Sequence, residues 1–406
     1  MKKHTIKISL LASAAVLFTV ASCRKDKNNA NSQKTITITN TTPVKDFVES
    51  GAFYGVGSAQ VQLPAVLPGQ SVNFKFSAGK TQSLMFATMY GASKDWFFAT
   101  GQPGIKLFDN NGKAITGDVS AQMKLWDNGT KDTSGAAESK PITMVPNVNP
   151  AQLMNVTLAY DDASSVFTLT ITNISGGTAN ETPFSSGVWA VSNVLGGALV
   201  NATPFFTPGA MSNPEITDIA QMGNVTKLLA KATANTGIIT GLSPAVVVVY
   251  SGNVNPLFEL GKADKGQGLK ELSQFGNPDV LMAALKNTSS VKSVYVAGTG
   301  PVPPGQSIST TVTMAPGDKI AYATMFGYSN DWFFANEQEI TSTKTGDITA
   351  QTAIFQSGTG VDQFPGAGNH QALFGGIPQN ESLPVNKIGS TYPVPMTNEL
   401  IKVTFN

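Results

Sequence analysis

This 406-residue chain contains one cysteine, Cys23, and two histidines, His4 and His370. A lone thiol excludes an internal disulfide and a thiolate metal cluster. Outside the N-terminal segment the only imidazole is His370, in the loop PGAGNHQALFGG, with no Gly-x-Ser-x-Gly elbow nearby. That leaves a Ser-His-Asp hydrolase without its usual parts. Charged residues are 13% of the chain, against a norm of roughly a quarter. There is no basic field to hold nucleic acid, so no nucleic-acid partner is expected. Phosphate-cradling glycine loops, dinucleotide fingerprints and His-rich zinc spacings are also missing. The one sustained apolar run, Ile8 to Ala21, is too short for a bilayer core.

That run follows Lys2, Lys3 and Lys7 and ends in Val20-Ala21-Ser22-Cys23, which reads as an export signal over residues 1–22. Small residues directly before a cysteine resemble the bacterial lipoprotein pattern, in which Cys23 is acylated and becomes the new N-terminus. The alternative is a plain secretory signal with an incidental cysteine. Removing residues 1–22 takes away three lysines and no acid, leaving 24 basic and 26 acidic residues and a net charge of −2. Residues 23–33, polar and without apolar periodicity, read as a disordered tether. An outer-membrane lipoprotein is expected, held to the membrane through the lipid at Cys23. The run RKDKNN after that cysteine carries no acidic cluster, so periplasmic and surface-exposed placement both stay open.

A duplication organises the rest. ATMYGASKDWFFA at Ala87–Ala99 returns as ATMFGYSNDWFFA at Ala323–Ala335, and PGQS occurs at Pro68 and again at Pro304. Both repeats are offset by 236 residues, whereas the strand-like TITITN at Thr35 and TLTITN at Thr168 are offset by only 133. The second copy therefore carries roughly a hundred extra residues. Short runs rich in Val, Ile, Thr and Phe, broken by Gly, Pro, Asn and Asp, predict an all-β chain of two tandem antiparallel β-sandwiches. The expected partition is 34–160 for the first, 161–165 as linker, and 166–406 for the second, with a small helical insert at about 195–295. Within that insert Ala245–Tyr250 reads as a strand, while Gly268–Ser273 and Asp279–Lys286 read as helix either side of an Asn277-Pro278 stop.

Both units resemble the spondin N-terminal domain. The residues that carry the likeness are Phe86–Met89, Ser93–Phe97 and Trp126–Thr130 in the first unit, and Tyr322–Met325 and Ser329–Phe333 in the second. Asn255–Gly261 and Gly268–Gly276 add a segment similar to that family's Gly-Leu-x-x-Leu helix. The resemblance implies an eight-stranded sandwich shaped like calcium-dependent lipid-binding domains, with calcium at one edge. Its ligands would be Asp95, Asp127 and, displaced by one position because Lys131 stands where the family has an acid, Asp132. Ca²⁺ takes six to eight oxygens, which rim loops of a sandwich can supply, here with help from Asn128 or Thr130. The alternative is that Asp95 caps a turn and Asp127 is a solvated loop acid. In the second unit Gln356 replaces the carboxylate and Gly360 the following acid, so a site built on Asp331 and Asp362 is expected to be weak or vacant.

The Trp-Phe-Phe clusters can be read as a sugar-stacking platform, but core packing is the stronger reading. A glycosidase needs two opposed carboxylates, and a shared cation accounts for Asp95 and Asp127 more simply. The expected function is a non-enzymatic, lipid-anchored envelope binding or adhesion protein. Its partner would be a polysaccharide, an envelope protein or a lipid surface. A carbohydrate-binding module and a hydrolase are the alternatives.

Overall fold

The structure, a computed structural model, describes residues 31–55 and 65–406. The expected signal segment 1–22, Cys23 with its expected acylation, and the expected tether up to residue 30 lie outside the described residues, while Ser32 and Gln33, expected to belong to that tether, are already in the first strand because their backbone pairs with Met314 and Thr313. Along the first half of the chain run β1 (Ser32–Asn40), β2 (Phe47–Phe53), β3 (Ser71–Ser77), β4 (Ser83–Tyr90), β5 (Trp96–Thr100), β6 (Met123–Asp127), β7 (Met154–Asp161), β8 (Val166–Asn173) and β9 (Phe184–Ser192). The helices α1 (Pro214–Met222) and α2 (Thr226–Ala234) follow, then β10 (Ala245–Tyr250), α3 (Leu269–Phe275) and α4 (Asp279–Lys286). The chain closes with β11 (Val291–Ala297), β12 (Ser307–Met314), β13 (Lys319–Met325), β14 (Trp332–Asn336), β15 (Thr352–Gln356) and β16 (Ile401–Phe405). Strands hold 38% of the chain and helices 13%, so the all-β class and the antiparallel sandwich architecture hold.

Each sandwich pairs a small sheet with a large one. In the first, the small sheet runs β3-β8-β7 and the large one β2-β9-β4-β5-β6; in the second they run β12-β1-β16 and β11-β10-β13-β14-β15. Alternation explains the small sheets: Phe167, Leu169 and Ile171 of β8, and Ile36 and Ile38 of β1, are fully buried while the threonines between them face outward.

The pairing differs from the expected partition. Strand β1 does not open the first sandwich; it lies between β12 and β16 of the second, with Ile38 opposite Ile308 and Val403. Strand β8, expected to open the second unit, lies between β3 and β7 of the first, with Leu169 opposite Phe74 and Leu158. Residues 161–165 are therefore no linker but the turn of the β7–β8 hairpin, closed by the Asp161–Val166 pair. The buried asparagine ending each of the two strands confirms the exchange. Asn173 donates to the Val66 and Thr182 carbonyls of the first sandwich, 2.9 and 2.7 Å away. Asn40 donates to those of Thr240 and Val302 in the second, both at 2.9 Å. The first sandwich, about residues 47–236, is thus inserted between the first and second strands of the other.

Both large sheets are covered on two faces. Phe98 and Phe334 point into the sandwich interior, while Phe97 packs under α1 and α2 and Phe333 under α3 and α4. The helical residues expected within 195–295 are accordingly divided between the sandwiches. Helix α1 is framed by Asn213, whose side chain caps the Ile216 N–H, by Pro214, and by a left-handed Gly223 at its end. Helices α3 and α4 break where Asn277-Pro278 foretold.

The sandwiches stack end to end. The end of the first formed by residues 78–82 and 161–165 meets a loop of the second that runs from Asp362 to Gly376. Gln82 donates to Gly366 O at 2.8 Å, Gln363 to Ala163 O at 3.1 Å, and Asn369 to the Asp162 carboxylate at 2.8 Å. That loop in turn sits on the Asp-Trp end of the second sandwich, where Gly366 N donates to Tyr328 O and Phe374 packs on Tyr328.

Candidate functional site

The antiparallel pairing of Trp96 with Asp127 brings the Asp-Trp turn beside the loop that follows β6. Asp95, 1% exposed, accepts on one oxygen from Thr130 N (2.8 Å), Thr130 Oγ1 (2.9 Å) and Lys131 N (2.8 Å). The loop must be tight there, because Gly129 has φ +68° and a Cβ would lie 2.3 Å from the Lys140 carbonyl oxygen. Asp127 is half-buried and accepts from Gly129 N at 2.8 Å. Burial raises its pKa above the ordinary range, and the charges of Asp95 and Glu138 add to the rise. Asp95, Asp127, Asp132 and Glu138 line a cleft of about 470 Å³, with Lys94, Lys131, Lys140, Tyr90 and the half-buried Trp96 as its other walls.

Two expected contributors point elsewhere. The Asp132 carboxylate accepts from Ser134 N, Ser134 Oγ and Ala136 N, which secures its own hairpin and holds its pKa below the ordinary range. The Asn128 side chain is fully buried and its oxygen accepts from Ser212, tying the loop to the segment before α1. The acid that joins Asp95 and Asp127 is Glu138, which also pairs with Lys140.

The second sandwich repeats the scheme with substituted parts. Asp331, 1% exposed, accepts on Oδ2 from Ser357 Oγ (3.0 Å), Thr359 N (2.7 Å) and Gly360 N (3.2 Å). Its Oδ1 is buried with no hydrogen-bond partner. Gln356 occupies the strand position of Asp127, opposite Trp332. The Trp332 indole N–H instead donates to Asp362, at 2.7 Å, from the next loop. Burial, then the charge of Asp331, push the Asp362 carboxyl up to about 7. Glu381 is raised by burial and by Asp331. Its backbone N–H donates to Thr359 O (3.2 Å), as that of Glu138 donates to Thr130 O (2.9 Å), so the two glutamates are structural equivalents. Neither glutamate stood out in the sequence.

Among the described residues no three His, Cys, Asp or Glu side chains are gathered into a metal-binding cluster. The carboxylates of each rim stand within electrostatic reach of one another without closing on a common point.

His370 sits at the junction of the sandwiches, 3.4 Å from the Asp162 carboxylate and 3.2 Å from Ile377 O. Asp95 lies at the other end of the first sandwich, so the two do not share a site. Comparison of the sequence with family models and with curated proteins found no match.

Proposed function

We propose that the chain is a lipid-anchored, non-enzymatic envelope binding or adhesion protein of spondin type, whose outermost rim binds a structural calcium ion. The observation that carries this reading is the cleft holding Asp95, Asp127 and Glu138, taken with its position along the stack. Strand β1 reaches the junction at Asn40, so its start at Ser32, the end nearest Cys23, lies at the free end of the second sandwich. The cleft lies at the opposite free end. With strands of eight or nine residues in each sandwich, the two ends are separated by roughly 50 Å. An acyl chain at Cys23 would hold one end at the membrane while the cleft is presented away from it.

Calcium supplies charge and oxygen affinity, drawing rim loops into one fixed shape. Asp127 and Glu138 would hold it; Asp95, with one oxygen committed to three donors, keeps the Thr130–Lys131 loop in register. The half-buried Trp96 in the cleft wall favours a polysaccharide partner as second reading, ahead of an envelope protein or a lipid surface, because an aromatic side chain lining a cleft offers apolar area for a sugar ring. The test is a thermal melt of the acylation-free chain with Ca²⁺ and with chelator. At a hundredfold excess over Kd, binding adds about 2.7 kcal/mol, a rise of roughly 5–10 °C, which Asp127→Asn removes. An unchanged melt after chelation overturns the calcium reading, and an empty glycan array overturns the polysaccharide one.

A further inference from the structure

Four long strands stand at sheet edges: β2 and β3 in the first sandwich, β11 and β12 in the second. An edge offers a row of unpaired N–H and C=O groups to any extended chain, and proteins guard it with charge, proline, bulges or a cover. Three of the four carry a charged residue, Glu49 on β2, Lys75 on β3 and Lys292 on β11. The fourth, β12, reads SISTTVTM. It has no charge and no proline, pairs with β1 without a register shift, and at eight residues is the longest of the four. The duplication makes the contrast direct: the shared PGQS turn aligns Ser71 with Ser307, so Thr311 stands where the first sandwich has the exposed Lys75. Toward the end of β3 the Ser77 N–H is taken by the Glu49 carboxylate, and the corresponding Thr313 N–H of β12 by the Tyr295 hydroxyl, at 3.3 Å. Asn40 N donates to Gln306 O, which sets the parity of the ladder. Residues 308, 310 and 312 therefore turn their backbone groups toward β1, while Ser307, Ser309 and Thr311 turn theirs outward, without a backbone partner among the described residues. The side chains of those three are exposed, and Ile308 and Thr310 between them are only half-buried.

We infer that β12 is a self-pairing edge, to which a second copy of this chain adds its own β12, antiparallel, across a two-fold axis at Ser309. The register follows from parity and from Tyr295. Outward residues must face outward residues, and Thr313 is already taken, which leaves 307–311 with Ser309 at the centre. Ser309 of one copy then faces Ser309 of the other, and Ser307 of each faces Thr311 of the other, every facing pair exchanging both N–H···O bonds. Their hydroxyls meet on the solvent face as Thr39 meets Ser307 (2.8 Å) and Thr35 meets Thr311 (3.0 Å) in the existing ladder. On the opposite face Ile308 of each copy is covered by Thr310 of the other. A ladder this short buries little area, so the pair is weak, with a Kd on the order of 10 µM or above. The axis crosses the strands, so the two N-termini leave at opposite ends. With the lipid at Cys23 proposed above, the pair joins facing membranes rather than neighbours in one leaflet; that consequence rests on the anchor, whereas the pairing does not.

The test uses the chain from Arg24, which holds no cysteine, in sedimentation velocity at concentrations up to about 0.5 mM. The expected result is a monomer–dimer equilibrium that Ser309→Lys weakens at least about tenfold, because it sets two lysines opposite each other at the axis. Thr311→Lys, which restores the charge of the other edge, also weakens it. Melts of both variants should match the parent, since both positions are exposed and the first sandwich folds with Lys75 at the second of them. Under mild oxidation Ser309→Cys gives a disulfide-linked dimer, its facing Cα atoms lying about 5.5 Å apart, while Asn73→Cys, at the equivalent point of β3, gives none. A dimer indifferent to Ser309→Lys, or linked as readily through Asn73→Cys, overturns the inference by placing the contact elsewhere. A chain that stays monomeric throughout overturns it as well and leaves the edge to a strand of another protein. None of these outcomes involves calcium or the lipid, so failure here leaves the first-rim cleft untouched.

Discussion

Replacing Asn40 by Ala should unfold the C-terminal sandwich in preference to the one that follows Asn40 in sequence. The asparagine is fully buried; its amide donates to Thr240 O and Val302 O at 2.9 Å each, and its oxygen accepts from Thr42 N at 3.1 Å. A buried intramolecular hydrogen bond is worth about 1 kcal/mol, and more where its partner is left unsatisfied. Three such bonds give a loss of about 3 kcal/mol. For a sandwich of this size that lowers the melting point by roughly 6–12 °C. The location of the effect is the sharper test. Native-state hydrogen exchange should lose protection in residues 307–314 and 401–405, which flank β1, and keep it in 71–77 and 154–161, which flank β8. Asn173→Ala should do the reverse. If Asn40→Ala instead released 71–77 and 154–161, β1 would belong to the first sandwich and the exchange of strands described above would be wrong.

Other outcomes follow from the same contacts. In chelator, stability should fall as pH rises from about 4 to about 7: the Asp362 carboxyl, pushed up to about 7 from 3.8, keeps in the folded state a proton that the unfolded chain has released, so folding is favoured below this window and loses that contribution above it. The loss reaches at most about 4 kcal/mol, and a melt series from pH 5 to 8 should become shallower in Asp362→Asn, with a residual slope left by the other raised acids such as Asp127 and Glu381. Asp132→Asn should leave the calcium-dependent melt of the first rim unchanged, while Glu138→Gln reduces it, because the Asp132 carboxylate is taken up by Ser134 and Ala136; equal effects from both would return Asp132 to the site. A fragment of residues 34–160, lacking β8 and β9, should stay unfolded by circular dichroism, since it removes the middle strand of the small sheet and the neighbour of β4 in the large one. A fragment of 46–237 should fold.

What could be read from the residues was local. Alternating apolar positions identified the strands, Asn277-Pro278 the helix break, and the Asp-Trp pairs the two acids that the hairpins set at the rim. Core packing of Phe97, Phe98, Phe333 and Phe334 followed from the same alternation, and each large sheet is covered on both faces, so neighbouring phenylalanines are buried on opposite sides. Signals for α1 were also present, in Asn213-Pro214 at one end and Gly223 at the other. The acids that complete each rim were not legible. Glu138 comes eight residues after Thr130 and Glu381 twenty-two after Thr359, so only the shared backbone hydrogen bond reveals them as equivalents. Asp362 is a candidate acid from sequence, but its position depends on the Trp332 indole, which no spacing rule predicts.

The partition failed for a different physical reason. Strands β1 and β8 carry the same alternation and the same terminal asparagine, so either would satisfy the edge-to-edge requirements of either sandwich. Pairing is then decided by connection length. The β7–β8 turn is four residues, Asp162 to Ser165, and loop closure is least costly when the ends are near, so β8 folds back on β7 and takes the position that β1 would have had. Strand β1, displaced from the first sandwich, pairs with β12 and β16, more than 260 residues along the chain. The consequence for function is mechanical. A pull on residues before Ser32 loads the middle strand of the C-terminal small sheet in shear against two neighbours, where many hydrogen bonds must break together. Were the tether joined to an edge strand, the same pull would open bonds one at a time. Single-molecule pulling from the N-terminus should therefore release the C-terminal sandwich at a higher force in the wild-type chain than in Asn40→Ala, and equal forces would show that β1 does not carry the load.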